Sequence, residues 1–114
     1  MKTYDKDDFQ NLSPQDLEEM IIEQLKNIYD PEIPVDIYNL GLIYNVVVDD
    51  DKNAFIEMTL TAPNCPVADA LPEQVRQRIA SLPGVNDVKV DITFDPPWSK
   101  DFISEEGKLM LGLL

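Results

Sequence analysis

The chain has 114 residues, 44% of them apolar and 27% charged, which is the composition of one folded domain able to hold a core rather than of a disordered or fibrous chain. Twenty-two acidic against nine basic residues give a net charge of −13, and no basic stripe interrupts the excess, which argues against direct binding of nucleic acid or an anionic membrane surface. There is no histidine and only one cysteine, so an internal disulfide is excluded, as are a four-ligand zinc or iron-sulfur site and a histidine-based catalytic triad.

The opening residues, "MKTYDKDDFQ", place charges where a secretory signal needs an apolar core, and no run approaches a membrane span. The expected setting is the cytoplasm, where a lone thiol stays reduced. Residues 1–12 read as a flexible acidic lead-in and residues 13–114 as one domain.

At "SPQDLEEMIIEQLKNIY", Ser13 is a natural helix cap, Pro14 suits the first helical position, and Asp16, Glu18 and Glu19 complement the dipole. Leu17, Met20, Ile21, Leu25 and Ile28 recur at helical spacing, which predicts a first amphipathic helix. Pro31 and Pro34 in "DPEIPVDIYNLG" cannot continue it, so residues 30–41 are expected to form an ordered connection. "LIYNVVVD" and "AFIEMTLT", joined by "DDKN", read as a β-hairpin with Thr59 and Thr61 on its exposed side.

Val67, Leu71, Val75, Ile79 and Leu82 then mark a second helix running from about Cys65 to "LPG", kinked or irregular near Pro72. "VNDVKVDITFD" alternates cleanly, with Val88, Val90, Ile92 and Phe94 on one face of a third strand. "DPPW" stops that strand, and "ISEEGKLMLGLL" reads as a short closing helix capped by Ser104. The predicted fold is an α+β two-layer sandwich of order α-β-β-α-β plus a short C-terminal helix, with a three-stranded sheet packed by two helices. Strand order is left open by the sequence.

Few residues offer chemistry. "DDDKNA" begins like a calcium loop with Asp49, Asp51 and Asn53, but Ala54 and Leu60 stand where such a loop needs glycine and glutamate, so it reads as a solvated turn. The four glycines never cluster into a phosphate cradle. Cys65, at the expected start of the second helix, would have unpaired backbone N–H groups and the positive dipole end beside its sulfur, which favours the reactive thiolate. The competing reading is a small buried apolar residue. Asp30 and Glu32 are either solvated turn formers or a rigid acidic rim able to orient a thiol, a metal or a partner's basic group. Trp98 is core, lid or partner contact. Thr61 lies four residues before Cys65 and can reach the same rim.

Together "DPEIPVDIYNLGLIY", "TLTAPNCPVADALPEQV", "LPGVNDVKVDITFDPPW" and "ISEEGKLMLG" resemble the small metal-sulfur cluster biosynthetic family, with its SufT-like members, cytosolic iron-sulfur targeting factors and PaaD-related domains. The resemblance spans about residues 13–112. It implies a non-enzymatic accessory factor of iron-sulfur cluster assembly in a SUF-type system, often dimeric. Its reactive cysteine maps onto Cys65, its acidic motif onto Asp30 and Glu32, its strand-end threonine onto Thr61 and its late aromatic onto Trp98. No permanent cofactor is expected; a cluster would be held transiently by Cys65 together with another chain, and the partners implied are the assembly machinery and client apoproteins. An adaptor with a structural Cys65 is the alternative. A thiol-dependent enzyme using Asp30 or Glu32 as base ranks lower, as does an oxygenase accessory subunit, whose cysteine-rich C-terminal segment is missing from "KDFISEEGKLMLGLL".

Overall fold

In the computed structural model, residues 13–30, 33–61 and 70–112 are described. Helix α1 (Pro14–Leu25) starts on a capping box, in which the Ser13 hydroxyl accepts from the Asp16 amide and the Asp16 carboxylate accepts from the Ser13 amide, both at 3.2 Å. Leu17, Ile21 and Leu25, four residues apart, are its fully buried face. Ile28 belongs to the same core but not to the helix, which ends three residues earlier; the expected face was right about burial and one turn too long. Met20 is only half-buried.

Strands β1 (Ile43–Val48) and β2 (Asn53–Met58) form the expected hairpin, with an irregularity between Ile43 and Asn45. Their turn is built around Asp49, whose carboxylate accepts from the amides of Asp51 and Asn53 at 2.9 Å and from the Asn53 side chain at 3.2 Å. These bonds hold the Asp49 carboxyl below its ordinary range, the Asn53 amide contributing most. Lys52 takes a left-handed conformation there, with φ of 65°.

Helix α2 (Ala70–Ala80) buries Leu71, Val75 and Ile79, and the chain returns as β3 (Asp87–Ile92) parallel to β2. The stretch before Ala70, on which the expected kink depends, lies outside the described residues, as do residues 1–12. The sheet order is β1-β2-β3, with β2 central. Helix α1 packs against β1, α2 against β3, and the helices touch each other, so both cover the same face. Val48, Ala54, Ile56, Met58 and Val88 point into that core.

One expectation for β3 is corrected. Its alternation is real, but the strand ends at Ile92 and burial fades along it: Val88 is buried, Val90 half-buried, and Ile92 and Phe94 are 37% and 42% exposed. β3 is an edge strand, so its far end receives less cover than a central strand would. A single 3-10 turn (Lys100–Phe102) and helix α3 (Glu105–Met110), capped by the Ser104 hydroxyl at 3.0 Å from the Gly107 amide, close the described chain. No helix among the described residues is long and apolar enough to cross a membrane.

Candidate functional site

The expected connection after α1 is a folded hub. Val35, Ile37, Leu40 and Leu42 are fully buried, and the Ile37 amide donates to the Ile28 carbonyl at 2.8 Å, tying the segment back to the end of α1. Asp30 begins it: its amide donates to the Val35 carbonyl at 3.3 Å and its carboxylate accepts from the Ile33 amide at 3.0 Å. Asp30 is therefore a turn former, as its sequence neighbourhood implies, but it is 9% exposed rather than solvated. Glu32 lies outside the described residues.

Within the hub the Asp36 carboxylate accepts two bonds of 2.9 Å from Asn39, one from its amide and one from its side chain. Asn39 in turn accepts from the Ser104 hydroxyl and amide, both at 2.8 Å. Asp36 and Asn39 are buried and Ser104 half-buried, and the bonds among them fix the hub against α3 instead of leaving these polar side chains orphaned. The sequence signals Ser104 only as a cap; its second partner, 65 residues away, has no local signature.

The other site candidates attach to the same scaffold. The Trp98 indole donates to the Leu40 carbonyl at 2.8 Å while its ring packs, half-buried, against the core. The Leu42 carbonyl accepts from the Thr59 amide at 2.8 Å, and the Met58 carbonyl from the Thr93 amide at 2.9 Å, so the hub and the end of β3 flank the end of β2. Thr59 is fully buried and its hydroxyl has no hydrogen-bond partner among the described residues; the burial corrects the expectation of an exposed strand threonine. Thr61 is half-buried. Asp30, Trp98 and the strand end that carries Thr61 thus share one support. Cys65 falls in residues 62–69, outside the described residues.

Beside the hub, on the sheet face opposite the helices, lies an open cleft of about 500 Å³ lined by Gly41, Ile43, Tyr44, Glu57, Pro96 and Phe102, among others. Tyr44 donates to the Pro96 carbonyl at 2.7 Å, and its ring meets Phe102 edge-on with 6.0 Å between centroids. Neither aromatic was singled out from sequence, because the contacts join residues more than fifty positions apart. No group of three or more cysteine, aspartate or glutamate residues able to hold a metal occurs among the described residues.

Fold and site define a small α+β domain: a mixed sheet covered by helices on one face, in which the stretch carrying the single cysteine joins strand β2 to helix α2. A family described as "Iron-sulfur cluster assembly protein" matches residues 18–92. The chain is 56% identical over 97 residues to an Fe-S protein maturation auxiliary factor of Porphyromonas gingivalis, a match covering 85% of this chain and 92% of that one. It is 43% identical over 97 residues to the Fe-S protein maturation auxiliary factor YitW of Bacillus subtilis, covering 85% and 95%. Among solved structures, a domain of unknown function from Bacillus anthracis superposes with a TM-score of 0.81 at 37% identity, covering 89% of this chain and 96% of that one. This chain belongs to the iron-sulfur cluster assembly protein family.

Proposed function

We propose that this protein is an accessory factor in the maturation of iron-sulfur proteins, and that Cys65 is the group through which it handles a cluster in transit or docks a partner. The observation that carries the reading is the 56% identity, across 85% of the chain, to a protein named as an Fe-S maturation auxiliary factor. The role is non-catalytic and cytoplasmic, and its partners are the assembly machinery and client apoproteins.

The chemistry follows from the inventory. An iron-sulfur cluster is held by several thiolates, and this chain has one cysteine and no histidine, so a cluster at Cys65 is cargo shared with a second chain rather than a resident cofactor. The second chain is a client, an assembly protein or another copy of this one. Asp30, Glu32 and Thr61 form the acidic and polar rim that receives it, with Trp98 as a further contact. Trp98 is suited to this because its half-buried ring is hydrogen-bonded to the hub, and Asp30, 9% exposed, fixes the turn behind the rim.

The test is complementation in cells lacking their own copy, with activity of an iron-sulfur client enzyme as the readout. The wild-type chain restores activity and Cys65→Ser, produced at equal abundance, does not. Full restoration by Cys65→Ser would replace this reading with that of an adaptor whose cysteine is structural.

A further inference from the structure

Helices α1 and α2 cover one face of the sheet; on the other, among the described residues, the segment of Pro96 and Phe102 reaches only the end beside Tyr44. On that other face Val47 and Phe55 are register partners, each 43% exposed. One step along the strands, Asn45, Glu57 and Asp91 stand side by side. Glu57 lines both a small depression with Asn45, Val47, Phe55 and Asp91 and the 500 Å³ cleft with Tyr44 and Phe102, so a carboxylate stands between the Val47–Phe55 pair and the aromatics of the cleft. Asp95 lines the cleft's far side.

Glu57 and Asp91 are like charges at directly opposed positions of a parallel pair, an arrangement that disfavours the sheet on its own. Neither they nor Asp95 make an ion pair among the described residues; the pairs found there are Lys26–Glu23 and Arg76–Glu73, on the helices. Lys89, on the same face beside Phe55, stays unpaired with them. Apolar side chains next to unneutralised carboxylates, on a chain of net charge −13, match a surface of alternating apolar and cationic groups.

We propose that this open face and its cleft dock an extended segment of a partner protein that carries aromatic or aliphatic side chains and lysine or arginine at every second position, so that both kinds share one side of the segment. The apolar side chains settle on Val47, Phe55 and Phe102, and the cations reach Glu57, Asp91 and Asp95. The proposal does not rest on the role of Cys65.

The probe is a fluorescein-labelled octapeptide with phenylalanine, lysine, valine and lysine at its first, third, fifth and seventh positions and serine between them, titrated into the full chain with amide chemical shifts as a map. Two controls accompany it, one with glutamate replacing lysine and one with serine replacing the apolar residues. The expected result is saturable binding of the first peptide alone, with shifts at residues 44–47, 55–57, 91–95 and 102. Glu57→Gln together with Asp91→Asn weakens it by about fivefold or more, and added salt weakens it as well. Since both side chains are exposed, the double variant keeps the fold. Equal binding of the serine control, shifts confined to other surfaces, or no effect of the double variant overturns the proposal. Shifts on this face that grow with protein concentration alone do so too, since they assign the face to a second copy of the chain.

Discussion

Replacing Gly41 with alanine probes the joint between the hub and the C-terminal segment. Gly41 has φ of +87°, a conformation that costs a residue with a Cβ about 1–2 kcal/mol. The added methyl would lie 2.5 Å from the Phe102 carbonyl oxygen and 2.7 Å from its Cβ. Forcing that contact apart adds about 1–3 kcal/mol. The predicted loss is about 2–5 kcal/mol, a large share of the roughly 5–15 kcal/mol that holds a domain of this size together. At about 4 °C per kcal/mol, the melting midpoint falls by about 8–20 °C. Urea unfolding followed by the fluorescence of Trp98, the single tryptophan, measures the loss where the perturbation is felt, since the indole is anchored on Leu40, the residue before Gly41. Gly112→Ala is the control: φ is +73° but nothing lies within 4 Å of the new methyl, so it carries only the backbone cost of about 1–2 kcal/mol. Trimming Phe102 does not rescue Gly41→Ala, because the nearest atom is backbone. A Gly41→Ala chain as stable as Gly112→Ala would refute the close approach of the two segments.

Asp36→Ala removes both acceptors of buried Asn39 and is expected to cost about 2–4 kcal/mol in urea unfolding, whereas Ser81→Ala, on the exposed end of α2, changes stability by less than about 0.5 kcal/mol. Thr59→Val replaces a buried, unpartnered hydroxyl by a methyl and is expected to leave stability unchanged or raise it by up to about 1 kcal/mol; a clear loss would mean that the hydroxyl is satisfied after all. Because the Asp49 carboxyl is held below its unfolded value, the unfolded chain takes up its proton first as pH drops. Its contribution is complete above the ordinary aspartate range near pH 4 and disappears as pH falls through the lowered folded value, so Asp49→Asn flattens the acid limb of the stability curve. An NMR titration placing the Asp49 midpoint at or above that of a free aspartate would contradict this.

The elements set by neighbours in sequence were legible before the structure. Ser13 and Pro14 announce α1, the four-residue spacing of Leu71, Val75 and Ile79 announces α2, and "DDKN" announces the hairpin. What local patterns could not reach were contacts made across the chain. Thr59 looks like an outward strand residue, and it is buried where the strand end meets the hub, to which it donates at Leu42. Phe94 continues the period of β3, yet the strand has ended and its side chain stands exposed. Asp30 was visible as a turn former beside proline; its burial depends on the amides and carbonyls of residues 33–35 that fold back over it. The Asp36–Asn39–Ser104 network and the Tyr44–Phe102 pair were missed for the same reason. Their partners are brought together by the hub and the C-terminal segment, and neither residue of each distant pair marks the other.

Whether Cys65 is available to a second chain is read most directly from its rate of alkylation by iodoacetamide in the native protein, compared at equal pH with the urea-unfolded chain. A thiol offered from the stretch between β2 and α2 reacts in the folded chain within about tenfold of the unfolded rate. A rate suppressed by about a thousandfold, so that the thiol reacts only when the fold opens, would contradict a role for Cys65 in passing or receiving a cluster.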